Sequence, residues 1–143
     1  MAYWIFQGNP KLYRVLDALR DFERLPWSAN QHKDEIFPGD GVLVWMSGPE
    51  AGIYAIAEVL QAPTVWENIP DNGYWIDPPQ VKETPHCLIR FTTKMLHKPL
   101  LRAELKEDPI LSELSILKMA QKTNFPVTPE QWRRVFEIKE ARC

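Results

Sequence analysis

Two cysteines and three histidines are all that this chain offers to metal or thiol chemistry. His32, His86 and His97 are scattered, and neither a Cys-x-x-Cys nor a His-x-x-x-His spacing occurs. Metal ligands converge at defined spacings, so the sequence calls for no metal and no cofactor. Cys87 sits in an apolar run and Cys143 is the last residue. No disulfide framework follows, and a reducing, cytoplasmic setting is expected. Cys87 follows His86, but neighbours on a strand point to opposite faces. A Cys–His nucleophile pair is therefore not expected there, and Cys87 reads as buried structure. Gly-x-Ser-x-Gly and phosphate-binding loops are both missing, and Ser47-Gly48 stands in a turn without a partner. A hydrolase or nuclease built on paired carboxylates depends on tertiary proximity, so that class stays open.

Long apolar runs are also missing. None approaches the roughly 20 residues that span a bilayer, so no membrane association is expected. Met1-Ala2-Tyr3-Trp4 has neither the basic start nor the apolar stretch of a signal peptide. Low-complexity segments and internal repeats are absent. With 143 residues, one domain over 1–143 is expected.

Tryptophan and proline are plentiful, at six and thirteen. Buried Trp wants a partner for its N–H, so six of them imply a heavy core or an aromatic site. Prolines spread along the chain imply many turns. The net charge is −2, which argues against gripping nucleic acid over a wide surface. Its distribution is uneven. Asp34 to Val81 holds eight acids and no Lys or Arg, whereas Thr84 to Ala103 holds Arg90, Lys94, Lys98 and Arg102 and no acid. The basic stretch reads either as a solvated face or as a phosphate-contacting strip.

Tyr3 to Gln7 is aromatic and β-branched and predicts a strand. Asn9-Pro10 predicts a helix start, with Leu12, Leu16 and Leu19 at helical spacing and Val15 and Phe22 beside them. A polar loop is expected from Trp27 to Glu35. Pro38-Gly39-Asp40-Gly41 turns the chain into a strand at Val42–Met46, and Ser47-Gly48-Pro49 turns it back into Gly52–Val59 as an antiparallel hairpin. Residues 61–85, with five prolines, predict a long loop or short edge strands. Cys87–Thr92 is a further strand, and Asp108-Pro109 opens a short helix. Thr128-Pro129-Glu130-Gln131 fits a capping box for a helix that buries Trp132, Val135 and Phe136. The class is α+β: a twisted, mostly antiparallel sheet or partly closed barrel flanked by short helices.

With catalytic motifs missing, the remaining chemistry is Trp beside small polar residues. Trp27-Ser28-Ala29-Asn30 and Asn72-Gly73-Tyr74-Trp75 are the two clusters. Aromatic faces that sandwich a base, with polar groups for its edge, are what a base pocket needs. The bland alternative makes each Trp a core plug, Asn9 a helix cap and Gly8 a turn residue.

Several segments together resemble the EVE domains of the PUA-like superfamily, relatives of the YTH readers of methylated adenine. They are Tyr3 to Pro10, Pro26-Trp27-Ser28, Pro38-Gly39-Asp40 leading into Val42 to Trp45, and above all Ala51 to Val59. Leu100 to Asp108 and the Pro-Val-Thr-Pro-Glu-Gln-Trp helix start add to the resemblance, which covers essentially the whole chain. It implies a PUA-like pseudobarrel whose pocket accepts a flipped base. Trp27-Ser28 matches the Trp-Ser pair of the relatives, and Asn9 is the nearest match to an edge-reading Asn. Gln7, Gly8 and Asn30 belong to the same set, and Trp75 or Tyr74 would close the cage. The implied function is non-catalytic reading of a modified cytosine or adenine in DNA or RNA, guiding a restriction or RNA-processing partner. A binder of a free nucleotide or small aromatic ligand is the alternative.

Overall fold

In the computed structural model, which describes residues 1–77 and 83–142, the aromatic run near the start forms strand β1, Tyr3–Gly8. It lies between two partners. Strand β3 (Gly41–Met46) runs parallel to it, with Ile5 opposite Leu43 and Gly8 opposite Met46. Strand β7 (Asn124–Val127) runs antiparallel, with Ile5 opposite Phe125. The predicted hairpin forms: β4 (Gly52–Thr64) returns against β3 with Val42 opposite Ala57 and Val44 opposite Ala55. Beyond it, β5 (His86–Lys94) pairs with β4, and β2 (Arg24–Ser28) pairs with β5. The order is β2-β5-β4-β3-β1-β7, with the two-residue β6 (Leu100–Leu101) beside β4. The sheet is mixed and not closed, and β1–β3 is the one parallel pair among the described residues.

Strand alternation supplies two cores, one on each face. Phe6, Val42 and Val44 join Val15, Ala18 and Leu19 of helix α1 (Val15–Asp21). Ile5, Leu43 and Trp45 join Leu105 of α2 (Arg102–Glu107), Ile116 of α3 (Ser115–Lys118) and Val135 of α4 (Pro129–Ala141). Because both faces of β1 and β3 are covered, all six residues of β3 are buried. The α+β class expected from the sequence is the class observed. No helix among the described residues is long and apolar enough to cross a membrane.

Local differences from expectation have local causes. The helix expected from Asn9 begins only at Val15. Asn9 does not cap it: its Oδ1 accepts from Lys11 N–H at 3.0 Å, and its carbonyl accepts from Leu12 and Tyr13. The next residues pair sideways, Ile76 N–H donating to the Leu12 carbonyl and Arg14 N–H to that of Tyr74. Leu12 and Leu16 are consequently 41% and 40% exposed, and the buried stripe is Val15, Ala18 and Leu19. Trp27 and Ser28 lie on β2, not in a loop. β4 continues past Val59 and absorbs the start of the proline-rich segment. Pro78 and Pro79 of that segment, like Cys143, lie outside the described residues.

Asp108-Pro109 opens no regular helix: Asp108 Oδ2 accepts from the Ile110 and Leu111 N–H groups, and a single 3-10 turn, Leu111–Glu113, follows. The capping box forms at Thr128 and Gln131. Val135 of that helix is buried, while Trp132 and Phe136 are only half-buried. Trp132 stacks on Tyr3 at 4.6 Å.

Candidate functional site

The ends of β1 and β2 frame a cavity of about 450 Å³. Gln7, Gly8 and Asn9 enter it from β1 and the turn behind it, and Pro26, Trp27 and Ser28 from β2. Leu12 and Tyr13 follow from the turn, Trp75 and Asp77 from the segment behind the 3-10 turn Asn72–Tyr74, and Asn30, Thr84 and Thr123 from loops. Seven of the eight residues singled out for base binding thus share one cavity. Tyr74 does not line it. Its ring meets Phe22 edge-on at 5.2 Å, and its hydroxyl donates to Asp21 at 2.7 Å. The Asp21 carboxyl is held at about 2, first by its hydrogen bond from Arg20 and then by that from Tyr74.

Trp27 serves the core and the cavity at once. It is 6% exposed and belongs to the core on the α1 face. Its Nε1 donates to the Gln7 carbonyl at 3.3 Å. Gly8 lets it lie this close: a Cβ there would come within 3.0 Å of Val15 Cγ2 and 3.2 Å of Trp27 Cζ2.

Trp27 and Trp75 do not face each other as a simple pair. Tyr13 touches both, edge-on to Trp27 at 6.3 Å and tilted against Trp75 at 4.3 Å. The Tyr13 hydroxyl donates to the buried carboxylate of Asp71. Burial raises the Asp71 carboxyl above its ordinary range. Burial and the neighbouring Asp71 push the Tyr13 phenol far up. Asp71 Oδ1 and Trp75 Nε1 are both buried with no partner among the described residues.

The polar lining is partly committed. Gln7 Nε2 donates to the carbonyls of Ala120 and Lys122, and Asn30 Nδ2 donates to Thr123 Oγ1 at 2.7 Å. Ser28 Oγ lies 3.1 Å from His86 Nε2. Sequence reasoning missed Tyr13 and His86. For Tyr13 the only hint was its place off the Leu12–Leu16–Leu19 spacing. For His86 it was the alternation that turned it away from Cys87. Cys87 is fully buried, and burial pushes its thiol up to about 12, which suits an inert thiol.

The four cations of the basic stretch are dispersed. Arg90 Nε is 2.9 Å from Glu58, Lys94 Nζ is 3.0 Å from Glu23, and Lys98 Nζ donates to the Arg142 carbonyl. Lys94 and Lys98 line a separate cleft with Arg142. Arg102 alone lies beside the main cavity. It lines an adjoining cleft with Lys122, Trp45 and Ile116 that shares Gln7, Asn9, Leu12 and Thr123 with the first. No hydrogen bond or ion pair engages its guanidinium among the described residues. No group of three potential metal-ligating side chains converges among them either.

Residues 2–138 match the model of the family described as EVE domain. No curated protein matches the chain. Among solved structures, a hypothetical protein from Leishmania major has a TM-score of 0.74 at 19% identity, covering 99% of this chain and 96% of its own. A protein from Pseudomonas putida has a TM-score of 0.71 at 22% identity, with 95% and 98% covered. Human THYN1, solved in complex with 5-methylcytosine-containing DNA, has a TM-score of 0.72 at 14% identity, with 98% of both chains covered. These likenesses show a common fold.

Proposed function

The chain belongs to the EVE domain family, with its PUA-like fold, and on that premise we propose that its cavity holds one base of a nucleic acid, preferentially a modified one, without chemical conversion. One observation carries this reading: Gln7, Gly8, Asn9, Trp27, Ser28, Asn30 and Trp75 line a single cavity of about 450 Å³. That volume is within the range of small-molecule pockets, roughly 300–1,000 Å³. Aromatic surface from Tyr13, Trp27 and Trp75 offers stacking, which is indifferent to base identity. Ser28, Asn9 and Asn30 offer edge contacts, which are not. The complex of human THYN1 with 5-methylcytosine DNA supports a nucleic-acid ligand. Of the four cations in the basic stretch, Arg102, in the adjoining cleft, is the one beside the cavity and so placed for a flanking phosphate.

The test is titration of single-stranded oligonucleotides carrying one 5-methylcytosine, one N6-methyladenine or the unmodified base. Tryptophan fluorescence and amide chemical shifts report binding. Saturable binding with shifts at residues 7–9, 27–30 and 75 is the expected result. No binding, or shifts confined to other surfaces, overturns the reading. The same titration with the free nucleosides separates polymer recognition from capture of a free nucleotide.

One contact favours a catalytic reading, the approach of Ser28 to His86 at 3.1 Å. A general base must become charged as it takes the serine proton. Here burial depresses the proton affinity of His86, and its Nδ1 faces the Thr84 carbonyl instead of a carboxylate. The pair suits holding better than attack. A fluorophosphonate, which labels activated serines, should leave Ser28 unmodified; labelling would favour hydrolysis.

A further inference from the structure

Ser28 and His86 are partners in register across the β2–β5 pair. The main chain on the far side of His86 is anchored, since Trp66 Nε1 donates to the His86 carbonyl at 2.9 Å. His86 Nδ1 lies 2.8 Å from the carbonyl oxygen of Thr84. A carbonyl oxygen only accepts, so Nδ1 carries a proton and donates it. The ring is 2% exposed, and burial disfavours the imidazolium. The carboxylate of Asp71 is the charged group acting on it, and its pull is weaker than the effect of burial. A neutral ring protonated at Nδ1 has a bare Nε2, which only accepts. The proton of the Ser28 hydroxyl is therefore given to Nε2. What Ser28 has left for the cavity is lone pairs.

We infer that His86 is a positioning residue that holds Ser28 as a fixed hydrogen-bond acceptor, so that the cavity selects bases whose edge carries an exocyclic amino group, cytosine and adenine derivatives, over thymine and uracil. The inference rests on the reading of the cavity as a base pocket. An exocyclic amino group projects beyond the ring and brings an N–H to Ser28 without another oxygen. The imide N–H of thymine or uracil is recessed between two carbonyl oxygens. Bringing it to Ser28 also brings a carbonyl toward an oxygen that has no proton left to give.

Two single-stranded oligonucleotides, identical except for one 5-methylcytosine or one thymine, test this. The two bases share the methyl group and the stacking area and differ in edge polarity. Wild type should bind the 5-methylcytosine strand at least roughly tenfold more tightly, as expected when a buried polar group is left unmatched. In His86→Phe the Ser28 proton is released and can turn toward the cavity, so the ratio should fall close to one. Ser28→Ala should lower it as well. A long-range proton–nitrogen spectrum of wild type should show His86 protonated at Nδ1 and bare at Nε2. If His86→Phe does not fold, that spectrum and the wild-type ratio decide.

A proton found on Nε2, a wild-type ratio of one or below, or an unchanged ratio in folded His86→Phe overturns the inference. Each of these leaves the base pocket standing as long as both strands shift the cavity residues. Failure of both strands to bind removes the base pocket and this inference together.

Discussion

Tyr13 donates its phenolic proton to Asp71, and this buried contact ties the turn behind β1 to the 3-10 turn that carries Trp75. The aromatic wall of the cavity is held from behind by a carboxylate that water does not reach. The other oxygen of Asp71 has no partner among the described residues. Tyr13→Phe should therefore cost more than an ordinary hydrogen bond. It strips a buried acid of its one side-chain donor among the described residues, and a loss of about 1–3 kcal/mol in urea unfolding is expected.

Asp71 also predicts a pH dependence. Burial raises its folded pKa above the unfolded value, so the folded state holds the proton more tightly. Its contribution to stability is complete below the unfolded pKa and is lost as pH rises through the folded one. Asp71→Asn abolishes this loss and should be at least as stable as wild type at pH 7. Unfolding free energies of both proteins from pH 4 to 8 check the sign. A wild type that gains on the variant as pH rises would show the carboxylate to be stabilising, contrary to the argument.

Gly8 is the narrowest point of the site. Gly8→Ala places a methyl group 3.0 Å from Val15 and 3.2 Å from the Trp27 ring, closer than carbon atoms prefer. The neighbours must give way, at a cost of about 1–3 kcal/mol. Trp27 would tilt, so oligonucleotide affinity should fall as well. Thermal melting and titration on the same variant measure both. An alanine variant with wild-type stability and affinity would show the packing to be looser than described.

How much of this was legible in the sequence follows from the range of the forces involved. β1, the β3–β4 hairpin and the α4 capping box are set by local patterns, and they appear where the residues placed them. Trp27, Ser28 and Asn30 stood out as Trp beside small polar residues, Gln7, Gly8 and Asn9 joined them only through the family resemblance, and the chain brings all six together. Pro26 disguised β2, because a proline within an apolar run reads as a break; here it lies on a strand at the sheet's edge, where proline is tolerated. Asn9-Pro10 misled because Asx turns and helix starts share the same residues. The partners of Tyr13 and His86 were not legible. Each depends on pairing with a residue 58 positions away in sequence, and no local pattern specifies that.

Electrostatics separates Arg102 from the rest of the basic stretch. Arg90 and Lys94 already pair with Glu58 and Glu23, whereas Arg102, beside the cavity, has no such partner among the described residues. If a polymer binds, Arg102→Gln should reduce the slope of log affinity against log salt by roughly 0.7–0.9, the release expected for one phosphate contact. Arg90→Gln should leave the slope unchanged. Equal effects from both would return the strip to the role of a diffuse field.

Trp27 and Trp75 allow binding to be separated from folding. Trp27 is a core residue by its burial and its neighbours. Trp27→Ala should cost about 3–5 kcal/mol of stability, and any loss of binding then mixes with unfolding. Trp75 is half-buried, packs on the ring of Tyr13 and carries an N–H with no partner among the described residues. Its truncation removes stacking surface and, at the same time, an unsatisfied donor, so the stability cost should be smaller, about 1–2 kcal/mol. Binding should nevertheless weaken by about 1–3 kcal/mol, the value of one base–aromatic stack. Thermal melting paired with titration of a 5-methylcytosine oligonucleotide reads both quantities. A folded Trp75→Ala protein that binds as tightly as wild type would exclude Trp75 from the site and leave Tyr13 and Trp27 as its aromatic surface.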